Sequence, residues 1–134
     1  MKVFFLFCVI GVAFLIAINS LSNKTPPAPP DPDADFMMIA VYAVKKAQRN
    51  PDSFVLETAV LTEKAACLEW RGQNGFGGMN RGRSVVARDR KYALNDHEDG
   101  FRSAWNRDCA TKNPGRDLTQ HMQGQLRYNP AMAR

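Results

Sequence analysis

A dense group of prolines divides this chain and limits what its first quarter can contribute to a fold. Five of the eight prolines fall within the segment NKTPPAPPDPDAD at 23–35. Prolines at this density fix φ and remove backbone N–H donors, so the segment predicts an extended polyproline linker. A Pro-rich ligand for a partner domain is the alternative interpretation. In either case the folded part begins after the linker.

An unbroken apolar run, VFFLFCVIGVAFLIAI at 3–18, precedes the linker. It follows a positively charged start and leads into small polar residues with a cleavage site after Ser22, which is the layout of a secretory signal. Its 16 residues would span about 24 Å as a helix, less than the roughly 30 Å core of a bilayer. A cleaved signal peptide over 1–22 is favoured, and an uncleaved anchor that contacts the membrane through 3–18 is the alternative. Both place residues 23–134 outside the cytoplasm, in the periplasm or medium if cleaved and on the inner membrane otherwise.

Two cysteines remain after Cys8, which lies in the apolar run, is set aside. An even number of cysteines in an exported chain predicts a disulfide, here between Cys67 and Cys109. A zinc site is not indicated, because no matching histidine pair accompanies them. In the chain-entropy model the bridge contributes roughly 4 kcal/mol. That is a large share of the stability of a domain of about 80 residues.

The residues after the linker predict a small α+β domain over 36–115, in the order α-β-β-β-α, with helices packed on an antiparallel sheet. A first helix is expected over 36–49, capped by Asp33 or Asp35 and ended by Asn50-Pro51. Strands are expected over 54–62, 65–71 and 84–90, with an extension or a short fourth strand at 92–94, and a second helix over 100–112. The segment 116–134 is polar and predicts a mobile tail.

One face of the second predicted helix supports the disulfide pairing. Phe101, Trp105 and Cys109 recur every four residues, with Ala104 beside them, so they share a helical face. If that face packs on the sheet, it brings Cys109 to Cys67.

Three short segments carry a resemblance: NPDSFVLE at 50–57, CLEWRGQNGFGG at 67–78 and FRSAWNRDC at 101–109. Together they resemble a group of small exported bacterial proteins of unknown function, with a Pro-Asp-Ser turn, a strand cysteine, an Asn-x-Phe-Gly-Gly turn and a late helical cysteine. The resemblance covers roughly 40–110. It implies export and a single small domain, and it supplies no activity and no catalytic residues.

The glycine-rich stretch RGQNGFGGMNRGR at 71–83 invites comparison with phosphate-binding loops. It lacks the Gly-Lys-Ser/Thr ending of a Walker loop and the third glycine of a dinucleotide fingerprint, and no helix follows it. Asn74-Gly75 is instead a strong β-hairpin signal. Phe76 is expected to anchor the loop onto the core.

The same region supplies candidate binding residues for an anion or a partner: Arg71, Arg81, Arg83 and Arg88. Residues 36–134 carry 16 basic and 10 acidic residues, a balance of +6 that suits anionic partners. Nucleic acid is not expected, because the chain is predicted to be exported and few aromatic residues lie nearby for base stacking. A solvated positive strand face without a ligand is the alternative.

A second candidate site is the segment NDHEDG at 95–100, where Asp96, His97, Glu98 and Asp99 offer an imidazole and three carboxylates as metal ligands. The alternative, which we favour, is a charged loop that caps the second helix through Asp96 or Asp99. An EF-hand is excluded, because its alternating ligands over twelve residues are missing.

No serine stands in a nucleophile-elbow context and both cysteines are expected to be bridged, so an enzyme is not expected. No cofactor motif is found. The leading hypothesis is an exported or membrane-tethered, non-catalytic binding module of the bacterial envelope, whose partner is an envelope protein or an anionic polymer. The alternatives are a small metal-dependent hydrolase that uses residues 96–99 and a structural accessory protein without a ligand.

Overall fold

The computed structural model describes residues 28–129, and its compact unit begins at Asp31. The predicted signal or anchor segment and residues 23–27 of the predicted proline linker lie outside the described residues. No helix within residues 28–129 is long and apolar enough to cross a membrane. The elements in chain order are α1 (Pro32–Ala47), a 3₁₀ turn (Pro51–Ser53), β1 (Val55–Leu61), β2 (Ala65–Gln73), β3 (Met79–Ala87), β4 (Ala93–Asn95), α2 (Phe101–Asp108), β5 (Arg116–Asp117) and α3 (Thr119–Tyr128).

The strands form one antiparallel sheet in the order β4-β3-β2-β1-β5. The predicted α+β class and antiparallel sheet are confirmed. The predicted order α-β-β-β-α is incomplete, since residues 28–129 form five strands and three helices. The β2–β3 hairpin is also longer than expected. Its register runs without a break from Ala65 opposite Ala87 to Gln73 opposite Met79.

Helices cover both faces of the sheet. Alternating side chains of β1 and β2, such as Leu56, Leu68 and Trp70, form the main core with α1 and α3. On the other face, Cys67 and Val85 pack against α2. This second cluster includes the predicted helical set Phe101, Ala104, Trp105 and Cys109, so the expected packing of that helix on the sheet is confirmed.

The disulfide between Cys67 and Cys109 joins the centre of β2 to the residue that ends α2, with the two Cα atoms 5.8 Å apart. The buried hydroxyl of Thr62 donates to the carbonyl of Asp108 at 2.8 Å beside it. The predicted pairing is therefore present in the structure. Helix α2 stops at Asp108, four residues before the predicted end at 112.

Helix α1 begins inside the predicted linker. Asp31 caps it, since its carboxylate accepts from the backbone N–H groups of Asp33 (3.1 Å) and Ala34 (3.3 Å). Pro32 occupies the first helical position, where a missing N–H costs nothing and the fixed φ suits a helix. The predicted start at Phe36, with Asp33 or Asp35 as cap, is wrong for this reason.

The C-terminal segment belongs to the domain. Residues 116–128 form β5 and α3, so the predicted mobile tail over 116–134 is wrong there. Leu118 and Met122, four residues apart, are buried in the main core, and Leu126 packs against it. Spacing of this kind indicates a helix face, which the polar composition of the segment concealed.

This segment also closes the outer edge of β1. β5 pairs with Val60 and Leu61. Next to that pair, Ala59 donates its N–H to the Thr119 hydroxyl and accepts from the N–H of Leu118, both at 2.9 Å. The Gln123 carboxamide donates to the Leu56 carbonyl at 3.0 Å.

Candidate functional site

Among residues 28–129, no helix covers one half of the α2 side of the sheet. There the side chains of β1, β2 and β3 face solvent in cross-strand pairs: Val55 with Arg71, Arg71 with Arg81, and Glu69 with Arg83. We call this surface the open face; it comprises Val55, Glu57, Glu69, Arg71, Met79, Arg81 and Arg83.

The arginines of the open face are interleaved with carboxylates. Glu57 lies in an irregularity of β1 between Leu56 and Thr58, and its carboxylate contacts Arg71 Nε at 2.7 Å and Arg81 Nε at 3.3 Å. A shallow depression of about 300 Å³ is lined by Glu57 and Arg81 together with Glu69, Gly82, Arg83 and Asp96. One carboxylate therefore serves two guanidinium groups at the end of the face that is nearer the hairpin loop.

The four predicted arginines do not form one patch. Arg83 lies over the rings of Phe101 (5.6 Å) and Trp105 (5.2 Å), at the boundary between the open face and α2. Arg88 follows the end of β3 and pairs with Asp33 at 2.6 Å, at the start of α1. The structure thus brings Arg71, Arg81 and Arg83 to one surface and places Arg88 elsewhere.

The 96–99 loop does not gather its side chains into a metal site. Within residues 28–129 no group of three or more histidine, cysteine, aspartate or glutamate side chains is placed to hold a metal ion. Asp96 instead exchanges two hydrogen bonds with the backbone of Arg83, and Glu98 accepts from the Asn95 side chain at 3.0 Å. The predicted capping of α2 by Asp96 or Asp99 is also wrong, because Gly100 is the N-cap and no side chain caps the helix.

The glycine-rich stretch forms the predicted hairpin, but the turn differs from a two-residue Asn-Gly turn. The Asn74 carboxamide oxygen accepts from the N–H groups of Phe76 (2.9 Å) and Gly78 (3.0 Å). Asn74 N–H donates to the Gly78 carbonyl at 2.7 Å. The left-handed residue is Gly77, with φ of 86°. These bonds hold a five-residue loop, 74–78, in one conformation.

Phe76 is not an anchor: its side chain is 100% exposed at the tip of this loop. Asn74 and Gly77 reverse the chain without help from the core, so the ring is left in solvent. Met79 is 50% exposed and Val55 42% exposed, at the same end of the sheet. No sequence signal predicts this exposure, because an aromatic residue among glycines belongs to no periodic pattern.

The base of the hairpin is fixed to the rest of the domain. Gln73 donates its backbone N–H to the Ser53 hydroxyl at 2.8 Å, and its side chain accepts from Asn50 Nδ2 at 2.8 Å. The Pro-Asp-Ser turn therefore supports the strand that leads into the loop. Phe76 is displayed on a rigid support.

A second polar region lies where β5 meets the start of α1. The Asp31 carboxylate binds Arg116 through two contacts of 2.5 and 3.0 Å, and Arg116 also lies 3.7 Å from Asp33. The hydrogen bond from Arg116 lowers the pKa of Asp31 to about 2 and, in turn, raises the pKa of Arg116. With Lys64 and Lys112 this region lines a cavity of about 790 Å³. Asp31 and Asp33 pair with Arg116 and Arg88, so the carboxylates of this region connect the start of α1 to β5 and to the residue after β3.

A buried carboxylate at the end of α2 is likewise committed to structure. Asp108 is 2% exposed and binds the Arg107 guanidinium at 2.7–3.1 Å and the Tyr92 hydroxyl. The hydrogen bond from Arg107 lowers the pKa of Asp108, while burial raises the pKa of Tyr92. Both oxygens of this carboxylate are occupied, which does not suit a general base.

No protein-family model, curated protein or solved structure matches the chain. Function is therefore argued from the geometry of residues 28–129. The surface that stands out combines the open face with the rigid loop that displays Phe76.

Proposed function

We propose that this chain is an exported or membrane-tethered, non-catalytic module that binds a protein partner through the β2–β3 hairpin. The observation that carries the proposal is the fully exposed ring of Phe76 on a loop held by Asn74. An exposed phenylalanine on a flexible loop would lose conformational freedom on binding. One on a fixed loop is already ordered for insertion into an apolar pocket.

The residues around Phe76 favour a protein over other partners. Aromatic residues, methionine and arginine are enriched in protein–protein interfaces, and Phe76, Met79 and Arg81 supply all three. Arg81 is 78% exposed, and Val55 adds apolar surface beside Arg71. This combination fits a partner with an apolar pocket and carboxylates at its rim.

An anionic polymer fits the open face less well. Glu57, Glu69 and Asp96 alternate with the arginines across the surface, so a long polyanion would meet carboxylates at each step. Arg88, which the sequence grouped with the arginines of the open face, lies elsewhere and is paired with Asp33. We therefore prefer the protein partner between the two classes suggested by the sequence.

The proposal also includes a cellular location, which is outside the cytoplasm. Its support is the signal-like layout of residues 1–22 together with the Cys67–Cys109 bridge, because disulfides persist mainly in oxidising compartments. Whether residues 3–18 are cleaved decides between a soluble and a tethered module.

A photo-crosslinking amino acid placed at position 76 in cells tests the proposal. Position 128 is the matched control, because Tyr128 is also an exposed aromatic residue, at 83%, on α3. We expect one protein to be crosslinked at 76 and not at 128, and mass spectrometry to identify it. Equal crosslinking at both positions, or none at 76, would contradict docking through the hairpin.

Purified partner then allows a quantitative comparison. Phe76→Ser should weaken binding at least tenfold, since aromatic anchors dominate interface energies, whereas Tyr128→Ser should leave it unchanged. Both variants should keep the wild-type Tm, because both rings lie in solvent. A Phe76→Ser protein that binds normally would refute the proposal.

A further inference from the structure

The outer edge of β3 is open next to Phe76. β4 pairs with β3 only at Ser84, Val85 and Val86. Beyond β4, Asp96 continues along the same edge for one position and binds the backbone of Arg83. In the described part of the chain no strand pairs with Met79, Asn80 or Arg81 on this side.

The direction of the backbone groups along this edge follows from two contacts. Arg83 donates its N–H to the Asp96 carboxylate at 3.2 Å and accepts from the Asp96 N–H at 3.0 Å, so both of its backbone groups face away from β2. Backbone direction alternates along an antiparallel strand. Arg81 and Met79 therefore also direct their N–H and C=O groups outward, whereas Asn80 and Gly82 bond to β2.

We infer that this edge receives an extended segment of the protein partner as an added antiparallel strand. The inference rests on the proposed function and states how the partner is held. One partner residue would lie opposite Arg81 and the residue two positions later would lie opposite Met79. Each would exchange a pair of backbone hydrogen bonds with the residue that it faces, as directly opposed residues do in antiparallel sheets. Asp96 makes a related pair with Arg83, in which its carboxylate takes the place of a backbone carbonyl as the acceptor.

The open face fixes the residue types of the added strand. Directly opposed residues place their side chains on the same face of a sheet. The partner residue opposite Arg81 meets a guanidinium that shares one carboxylate, Glu57, with Arg71, so an acidic side chain is favoured. The residue opposite Met79 lies beside an exposed apolar side chain, at the Phe76 end. Because the added strand runs antiparallel, the motif reads acidic–any–apolar from its N-terminus.

A second copy of this chain fits the edge less well than such a peptide. Twofold pairing about Asn80 would place the two Arg81 side chains diagonally on one face, roughly 7–8 Å apart, which sets like charges together. It would also carry each hairpin tip toward the other copy's Asp96, where β4 already occupies the edge. Arg81, which shares the Glu57 carboxylate with Arg71, instead complements a single acidic side chain in the added segment.

Amide exchange measured by NMR tests the edge directly. In the full-length protein held in detergent micelles, we expect the amides of Met79 and Arg81 to exchange fast and those of Asn80 and Gly82 slowly. An acetylated peptide with the core Ser-Glu-Thr-Ile-Ser should then slow exchange at Met79 and Arg81 at least tenfold. Unchanged exchange at both positions, at the highest soluble peptide concentration, would overturn the inference.

Peptide variants separate strand addition from side-chain docking. N-methylation of the glutamate that faces Arg81 removes one backbone donor and keeps the side chain, so it should weaken binding about three- to tenfold. N-methylation of the threonine, whose N–H faces away from β3, is the matched control and should be neutral. Equal affinities for the two N-methylated peptides would overturn strand addition.

A charge exchange tests the acidic position. The Arg81→Glu variant should no longer bind the glutamate peptide and should instead bind the peptide in which lysine replaces glutamate. The control is Arg102→Glu, at an exposed arginine on α2, which should still prefer the glutamate peptide as the wild type does. An unaltered preference in Arg81→Glu would overturn the motif.

The outcomes also distinguish this inference from the proposed function. If position 76 crosslinks a partner that leaves the amides of Met79 and Arg81 unprotected, strand addition is wrong and the module stands. If the peptide protects both amides but nothing crosslinks at 76, the edge is correct and the Phe76 docking is wrong.

Discussion

Replacing Gly82 with alanine should destabilise the protein through a single methyl group. A Cβ atom at this position would lie 2.4 Å from Cζ2, 2.6 Å from Cη2 and 2.9 Å from Cε2 of the Trp70 ring. Contacts below 3.0 Å require movement, and three atoms of one rigid ring are involved. The sheet register also places Gly82 directly opposite Trp70, so the backbone cannot relieve the overlap without breaking that pair.

The indole ring has little freedom to yield. Trp70 is 8% exposed, its Nε1 donates to the Ser84 hydroxyl at 2.9 Å, and its ring centroid lies 6.0 Å from that of Phe54. Overpacking a core costs typically about 1–3 kcal/mol. A rotation of the ring that breaks the Ser84 bond would add about 1–3 kcal/mol for an unsatisfied buried donor. If both effects occur, the loss is about 2–6 kcal/mol.

Thermal unfolding followed by circular dichroism measures the effect. For a domain of this size, 1 kcal/mol corresponds to roughly 4–8 °C in Tm, so Gly82→Ala should lower Tm by at least about 8 °C. Gly124→Ala is the control, because a Cβ there meets nothing within 4 Å and the position is inside α3. Helix propensity predicts that this second variant gains about 0.5–1 kcal/mol.

The pair of variants makes the reasoning refutable, since the same chemical change should move Tm in opposite directions. A Gly82→Ala protein with the wild-type Tm would show that Trp70 does not fill the space above Gly82. A large loss in Gly124→Ala would show that α3 is packed differently from the structure.

Three further predictions concern the bridge, the C-terminal segment and the ion pair at the start of α1. Replacing Cys67 and Cys109 by serine should cost about 4 kcal/mol in the chain-entropy model, and two alkylated thiols in the unreduced wild-type protein, seen by intact mass, would exclude the bridge. Met122→Ala, at a fully buried position, should lower the free energy of unfolding by about 2–5 kcal/mol in a denaturant titration. An unchanged midpoint would show that residues 116–128 are not packed on the core. Because the pKa of Asp31 is lowered to about 2 from 3.8, its contribution to stability is complete above pH 3.8 and is lost as pH falls through 2. Arg116→Gln should raise this pKa toward 3.8 in a ¹³C carboxyl titration, and a value that stays near 2 would contradict the assigned cause.

Most of the correct sequence predictions came from the spacing of apolar residues and from the number of cysteines. The apolar spacing of Phe101, Trp105 and Cys109 predicted a helix face on the sheet, and the even cysteine count predicted the partner of Cys109. Both signals are local in sequence or depend on counting alone. The α+β class followed from the predicted order of helices and strands along the chain.

The errors have two sources: a local capping signal that was missed, and tertiary packing that composition does not reveal. Prolines suggested a linker through residue 35, but Pro32 is compatible with the first turn of a helix that Asp31 caps. The polar composition of 116–128 concealed the spacing of Leu118 and Met122, which the core selects. Composition averages over a segment, whereas packing depends on two or three positions in it.

The candidate site was located by sequence but misjudged in its chemistry. The sequence singled out the stretch at 71–83 as a candidate, yet Phe76 was expected inside the protein and the arginines were expected to act as a positive patch. Only the sheet register shows that Glu57 lies between Arg71 and Arg81, because these residues are far apart in the chain. Exposure of a single side chain cannot be inferred without knowing what else fills the core.

The closed outer edge of β1 limits how many partners the sheet can join. Thr119 and Gln123 occupy backbone groups of Ala59 and Leu56, and β5 pairs with Leu61, so within the described part of the chain β1 has no comparable run of free groups on its outer side. A sheet with two open edges can pass strand addition from copy to copy and grow into a fibre. A sheet with one open edge has a valency of one, so a strand bound along Met79–Arg81 would end the assembly at that step.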